Sequence, residues 1–285
     1  MLADQEYDGH ASVHDDATAA SLGLTGAPIE APTHFSQFDP LAFLVWGRDW
    51  FEQGCISSHF RTMVVESEEV QASLTTTGDA SARIHAQKAD GTPVLSGTAS
   101  VGPSFGGTEL EKRLASQGDP GKLFIVDQLE VGMRDEGGVE SVDHDGTNGQ
   151  GYPFSLDQKL ARITEPHPWY TKEGGRTSPW GRAILPMEMI SVLAHKSGPN
   201  WPVRRPVLGL FLDMEIRLLA GPLFVGQQYR LSRELVGLSQ SRRTESYWTR
   251  TTITDVDSEV KVAEVLLHSG VFKESYPGYP AQLTQ

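Results

Sequence analysis

The chain has 285 residues, enough for one large core or for two domains of ordinary size. Its formal net charge of −13 argues against nucleic acid as a partner, because a phosphate backbone is bound by a basic surface. The single cysteine, Cys55, excludes an internal disulfide and a cysteine-based zinc site, and no apolar run is long enough to predict a membrane-spanning helix. The composition is typical of a soluble protein, and we expect it in the cytoplasm.

The first half of the chain is predicted to be one long helix followed by four strands. Residues 1–33 are polar and loop-like. Thr33 is a good N-cap for a helix that continues to about Phe51, with Pro40 as a point where it kinks or divides. The strands, which show partial alternation of apolar and polar residues, are predicted at residues 56–65, 69–75, 81–89 and 94–101.

The second half repeats this order after a linker. Residues 104–121 are rich in Gly, Ser and charge, with a short helical piece at 109–115. The predicted units are therefore residues 1–103 and 122–285, joined by the linker. The elements expected in the second unit are a strand at 123–133, a loop at 135–153, helices at 154–163 and 185–195, and strands at 210–218, 227–238, 242–254 and 259–272.

A polar loop precedes the main helix in each half. In the second half it reads Glu165-Pro-His-Pro-Trp-Tyr170, and in the first half it contains His14-Asp-Asp16. A carboxylate with a His or Tyr on one loop is able to divide the roles of general acid and base. The same residues also serve well as helix caps, loop hydrogen-bond partners and packing groups, so both interpretations stay open.

These loops carry a resemblance to a known family. His14-Asp-Asp16, Gly23-Leu24 and Pro28-Ile29 match in spacing part of the hydratase pattern of the MaoC-like dehydratase and R-specific enoyl-CoA hydratase superfamily. Residues 165–170 line up with the Asp-x-Asn-Pro-x-His part of that pattern, but Glu165 and Tyr170 stand where the family has Asp and His. The resemblance implies an α+β double hotdog fold, in which each unit is a central helix wrapped by an antiparallel sheet.

The resemblance also implies an activity. It predicts a hydro-lyase (a hydratase or dehydratase) for an enoyl or 3-hydroxyacyl thioester, or for a related small unsaturated compound, with no metal or redox cofactor and with coenzyme A only as part of the substrate. Two alternatives remain open: a thioesterase that uses a helix carboxylate such as Asp39 or Glu188, and a non-catalytic ligand-binding or partner subunit. Two fused units already resemble a dimer, and further homo-oligomerisation is a possible outcome.

The candidate residues follow from the two loops and the helix starts. The catalytic candidates, which are able to exchange protons, are Glu165, Tyr170, His167, His14 and His34. The candidates for substrate binding, which are aromatic or acidic residues near the same loops, are Trp169, Trp180, Trp46, Glu30 and Asp8. For the tryptophans, core packing is the competing interpretation.

Overall fold

The computed structural model describes residues 14–21, 23, 26–103, 107–149 and 151–280, so the candidate Asp8 lies outside the described residues. The helices are α1 (Asp16–Ser21), α2 (Asp39–Trp46), α3 (Asp49–Gln53), α4 (Glu109–Ala115), α5 (Leu156–Leu160), α6 (Lys172–Gly175) and α7 (Met187–His195). Short 3-10 helices span Ala31–Gln37, Pro168–Tyr170 and Lys273–Ser275. Within these ranges, no helix has both the length and the apolar character needed to cross a bilayer.

The strands of the described chain form one antiparallel sheet of nine members. They are β1 (Gly54–Phe60), β2 (Val70–Gly78), β3 (Ser81–Lys88), β4 (Pro93–Val101), β5 (Arg134–Glu140), β6 (Gly209–Leu218), β7 (Tyr229–Gln240), β8 (Thr244–Asp255) and β9 (Lys261–Phe272). Their order across the sheet is β2-β3-β4-β1-β6-β9-β8-β7-β5. The predicted meanders of both halves are therefore present and are joined edge to edge.

The two halves meet at the centre of the sheet. β1 is the first strand after the helices of the first half, β6 is the first strand after α7, and the two pair from Cys55↔Arg217 to His59↔Asp213. From this junction β4, β3 and β2 follow on one side, and β9, β8 and β7 follow in the same sequence on the other. β5 continues the second side beyond β7, and no strand with this position occurs in the described part of the first half.

The helix α7 is the centre of the second half. Residues 187–194 are all buried, and the apolar side chains among them belong to a large core cluster shared by both halves. Pro186 occupies the N-cap, where its fixed φ and missing N–H are tolerated. The prediction for residues 185–195 is confirmed apart from two residues at its start. A carboxylate, Glu188, nevertheless lies in the first turn of this apolar helix.

The long helix predicted for the first half divides beside Pro40, as the sequence predicts, and divides again at Gly47, where the sequence predicts no break. The chain forms instead the 3-10 helix Ala31–Gln37, then α2, then α3. Pro40 occupies the first turn of α2, where it cannot donate to a preceding helical turn. Gly47 ends α2 with φ of 55°, a left-handed conformation that glycine adopts at low cost. The result is a short, bent set of helices whose start faces the second half.

The strand predicted at 123–133 is also wrong. The N–H groups of Phe124, Ile125 and Val126 donate to the buried carboxylate of Glu245 at 2.9, 2.7 and 3.1 Å, and not to a neighbouring strand. The apolar side chains of this segment pack beside Trp201 in a second core cluster. The strand β5 lies instead in the stretch 135–153 that was predicted to be a loop.

Candidate functional site

A cavity of about 480 Å³ lies between the two halves. The first half contributes the segment that leads into the 3-10 helix Ala31–Gln37 and the end of β1, and the second half contributes α7 and the strands β6, β8 and β9. Most of its wall is apolar and includes Phe60, Val64, Val192, Phe211, Leu267 and Val271. An apolar cavity with few polar groups is the usual form of a small-molecule site.

His34 provides the first polar group of this cavity. Its side chain is buried, and Nδ1 lies 3.2 Å from Oε1 of Gln37 on the next helical turn. Burial lowers the pKa of His34 to about 4, because the charged imidazolium is poorly solvated there. The ring is therefore neutral near pH 7, and if Nδ1–H donates to Gln37, Nε2 carries the lone pair.

A buried ion pair lies beside His34. The ammonium of Lys159 on α5 is 2.7 Å from Oε1 of Glu188, 3.4 Å from Oε2 of Glu30 and 2.7 Å from the hydroxyl of Thr33. The Thr33 hydroxyl in turn donates to Oε1 of Glu188 at 3.2 Å. Glu188 therefore contacts Thr33, the residue that precedes His34 in the chain.

The charged groups in this cluster shift one another's pKa values. Burial raises the pKa of Glu188, and the ammonium of Lys159 opposes that shift only in part. For Lys159, burial alone lowers the pKa, but the charges of Glu188, Tyr152 and Glu30 together raise it above its usual range. The ammonium therefore stays charged, while the carboxyl of Glu188 accepts a proton more readily than an exposed glutamate does.

The helix α7 presents a polar stripe to the cavity. Glu188, Ser191 and His195 all border the cavity, at helical positions i, i+3 and i+7, which lie on one face. The ring of His195 hydrogen-bonds through Nδ1 to the carbonyl oxygen of Ser191 at 2.7 Å. Burial lowers the pKa of His195 to about 4, so this ring is also neutral near pH 7.

Three of the sequence candidates border this cavity, and six do not. His14, Glu30 and His34 are part of its wall, and Nδ1 of His14 lies 2.7 Å from the carbonyl oxygen of Pro28. The candidates that lie outside the wall are Glu165, His167, Trp169, Tyr170, Trp180 and Trp46. The structure thus brings together His14, Glu30 and His34 and separates them from the loop of the second half.

The loop 165–170 lies against the helices of the first half and packs there as an aromatic cluster. His167 and Trp169 lie with their ring centroids 4.6 Å apart, and both contact Phe43 and Phe51 edge-on. His167 also caps the 3-10 helix Pro168–Tyr170 by accepting from the backbone N–H of Trp169, and burial lowers its pKa. These contacts are those of a packed, capped loop.

The other candidates outside the cavity wall are also held by contacts within the protein. The Tyr170 hydroxyl donates to Asp39 at 2.7 Å, and Glu165 accepts from the hydroxyl of Thr164. Trp180 donates to Glu52 on α3 at 3.2 Å, and Trp46 donates to the backbone of Asp79 at 2.9 Å. Asp39, which the thioesterase interpretation used, is buried beneath the cavity wall and not part of it.

Sequence reasoning missed Lys159, Asn148, Tyr152 and His195. A signal for Lys159 was present, because it lies on α5 between the buried Leu156 and the partly buried Leu160, where an apolar residue is usual. Ser155 begins that helix with a capping box, as its sequence predicts, and thereby fixes the direction of the lysine. In the sequence, His195 is identified only as the last residue of the predicted helix 185–195. In the described part of the chain, no cluster of His, Cys, Asp and Glu has the makings of a metal site.

The arrangement defines a class of fold. Each half lays a helical segment across an antiparallel sheet, and the two sheets join through β1 and β6 into one. This is a double hotdog fold, as the sequence resemblance implied.

Solved structures support this assignment. A protein described as a MaoC domain dehydratase from Chloroflexus aurantiacus is 13% identical, with 93% of this chain and 88% of that chain covered and a TM-score of 0.55. A MaoC-like dehydratase is 14% identical, with 90% and 88% covered and a TM-score of 0.53. A conserved hypothetical protein from Mycobacterium tuberculosis with a double hotdog fold is 12% identical, with 90% and 86% covered and a TM-score of 0.57.

At these identities the similarity establishes the fold and not the reaction. No protein-family model matches the chain, and no curated protein matches it. The function therefore has to be argued from the cavity and its residues.

Proposed function

We propose that the chain is a hydro-lyase that adds water to an α,β-unsaturated acyl thioester, or removes it from the 3-hydroxyacyl form, in the cavity between the two halves. The observation that carries this proposal is the presence of two buried proton-exchanging groups, His34 and Glu188, on the wall of one largely apolar cavity. An apolar cavity suits an acyl chain, and hydration needs one base and one acid. Coenzyme A is the carrier that we propose for the thioester.

The proton transfers balance on Glu188, with His34 holding the water. The carboxylate of Glu188 takes a proton from water while the water oxygen forms a bond to the β-carbon of the substrate, and Nε2 of the neutral His34 ring accepts a hydrogen bond from the remaining O–H of that water. The α-carbon then takes the proton from the carboxyl of Glu188, which returns to the carboxylate as the carbon–carbon double bond is consumed. Dehydration is the same sequence in reverse.

The surroundings suit these roles. Burial raises the pKa of Glu188, so its carboxyl is available as an acid closer to neutral pH than that of an exposed glutamate. Lys159, 2.7 Å from Oε1 of Glu188, stabilises the carboxylate that forms after the proton is given up. Gln37 holds Nδ1 of His34 and thereby orients the ring.

The test uses the full chain with 2-enoyl-CoA substrates of several chain lengths, beginning with crotonyl-CoA, and follows the loss of the enoyl absorbance. His34→Asn and Glu188→Gln should each lower kcat/KM by about a hundredfold or more, the usual contribution of a general acid or base. His85→Asn is the matched control, because His85 lies on β3 away from the cavity wall and should keep the wild-type rate. Thermal unfolding of each variant separates lost chemistry from lost folding.

The same assay distinguishes the alternatives. Release of free thiol without hydration would identify a thioesterase instead. Binding of an acyl-CoA with no turnover at any chain length would identify a ligand-binding subunit. Glu165→Gln and Tyr170→Phe belong in the same series, and a hundredfold loss in both, with wild-type rates for His34→Asn and Glu188→Gln, would move the site to the loop 165–170.

A further inference from the structure

The cavity wall of the second half carries four buried polar atoms that have no hydrogen-bond partner among the described residues. They are Oδ1 of Asn148, the hydroxyl oxygen of Tyr152, Oε2 of Glu188 and Nε2 of His195. All four residues border the same cavity, and Asn148 and Glu188 are each only 1% exposed. Buried polar groups are normally paired, so four unpaired atoms on one wall point to a ligand.

Two of these atoms, Oδ1 of Asn148 and Nε2 of His195, are acceptors that the proposed reaction does not use, whereas the hydroxyl of Tyr152 is able to donate as well as to accept. The amide nitrogen of Asn148 donates to the carbonyl oxygen of Phe154 at 2.7 Å, which assigns the other amide atom as oxygen. Nδ1 of His195 faces the carbonyl oxygen of Ser191 and must carry the hydrogen, so Nε2 of the neutral ring holds a lone pair. Oε1 of Glu188 already accepts from Lys159 and Thr33, which leaves Oε2 for the proton transfer of the proposed reaction.

A hydrocarbon chain cannot satisfy these atoms. An acceptor that is taken out of water without a donor loses its hydration and gains nothing in return. A plain acyl chain in this cavity would cover the acceptors of Asn148 and His195 with methylene groups. A ligand that presents hydrogen-bond donors to the same wall would pair them.

We propose that the acyl group of the substrate carries hydroxyl groups, which donate hydrogen bonds to Asn148 and His195. This inference rests on the proposed function for the thioester end of the substrate. A neutral donor fits better than an ammonium group, because Lys159 already places a positive charge 2.7 Å from Glu188 and would repel a second one.

The spacing along α7 indicates where a hydroxyl would lie. Glu188 and His195 are seven residues apart, which corresponds to about 10 Å along a helix axis. If the reacting carbons lie near Glu188 and His34, a hydroxyl that reaches His195 lies well down the acyl chain. The substrate class is therefore a medium-length acyl thioester with a hydroxyl far from the carbonyl carbon.

The probes are trans-2-octenoyl-CoA and the same thioester with a hydroxyl on its terminal carbon. We expect the hydroxylated thioester to have a kcat/KM at least about tenfold higher, because a site that binds a hydroxyl discriminates strongly against an analogue that lacks it. In His195→Phe the preference should fall to about twofold or less, and His195→Gln, which restores an acceptor, should recover part of it. Equal kcat/KM values for the two thioesters with the wild-type chain would overturn the inference.

Binding separates this inference from the proposed function. If neither thioester is hydrated, the proposed function fails, and calorimetric Kd values for the same pair still test the inference. A Kd at least about tenfold lower for the hydroxylated thioester supports it, and equal Kd values refute it. A thioester with a terminal ammonium group completes the set, and tighter binding of that compound than of the hydroxylated one would refute the choice of a neutral donor.

Discussion

The hydroxyl of Tyr170 donates a 2.7 Å hydrogen bond to Oδ2 of Asp39, and both side chains are buried. The other carboxylate oxygen of Asp39 accepts from the indole of Trp50 at 2.8 Å. The backbone N–H of Met187, at the start of α7, also donates to Oδ2 at 3.4 Å. Asp39 on α2 therefore connects the loop 165–170 with the central helix of the second half.

This contact predicts a structural role for Tyr170. Tyr170→Phe removes one donor from a buried carboxylate and should lower the free energy of unfolding by about 1–3 kcal/mol. Its kcat should stay within a few-fold of wild type, because the ring is not part of the cavity wall. Urea unfolding and the hydration assay measure the two effects. The partly exposed Tyr276 is the control, and its change to Phe should cost less than about 0.5 kcal/mol.

Asp39 also predicts a dependence of stability on pH. Burial raises its pKa to about 6, against the hydrogen bonds from Tyr170 and Trp50, from an unfolded value of about 3.9. Because the folded pKa is the higher one, the folded state binds more protons between these values. The stabilising contribution is complete below about pH 4 and is lost as the pH rises through 6, by up to about 3 kcal/mol.

The measurement compares the wild-type chain with Asp39→Asn by urea unfolding between pH 4 and pH 7. As the pH rises over this range, the wild-type chain should lose up to about 3 kcal/mol of unfolding free energy relative to Asp39→Asn. Other groups cancel in the comparison, including Asp213, whose pKa is lowered to about 2. A difference that stays constant with pH would show that Asp39 titrates as an ordinary carboxyl.

Lys159 is predicted to matter more for stability than any exposed lysine does. Lys159→Met leaves the carboxylate of Glu188, which is 1% exposed, without its cation and should cost about 3–5 kcal/mol. The matched control is Lys172→Met, because Lys172 also pairs with carboxylates, at 2.9 Å to Asp145, but in a half-exposed position. That change should cost far less, because solvent screens an exposed ion pair.

A double variant tests the cause of that loss. Adding Glu188→Gln to Lys159→Met removes the stranded charge and should recover part of the lost stability. Chemical unfolding of the four chains completes the cycle. Equal losses in Lys159→Met and Lys172→Met would refute the importance of the buried pair.

The fold was largely predictable from the sequence because most strands carry their own signal. β3 and β7 show the alternation that one buried face imposes, and the Asp90-Gly91 turn follows β3. β5 carries charged residues and two glycines because it pairs on one side only, with β7 at the edge of the sheet, and needs few apolar residues. The sequence of residues 123–133 is strand-like because its apolar side chains fill a core. The backbone N–H groups at its start nevertheless donate to the Glu245 carboxylate and not to a strand.

The site was less predictable because its parts are far apart in the chain. The loop 165–170 attracted attention through the residue types Glu, His and Tyr, but those side chains fill space beside α2 and α3. His34, Lys159, Glu188 and His195 come together only because β1 pairs with β6 and brings the two central helices to one cavity. Nothing in the local sequence encodes that convergence. His34 was found because it lies at a helix start, a position that is visible without the tertiary structure.

The fusion of the two units through one chain has a consequence for symmetry. His34 and Glu188 each stand two residues after a proline, Pro32 and Pro186, at the start of the central helix of their unit. In a dimer of two identical units, a two-fold axis would force the same side chain into both positions. A single chain is free of that constraint, and mutation is able to change one position while the other stays as it is. An imidazole and a carboxyl therefore face one cavity from two equivalent places, a combination that no homodimer of either unit can produce.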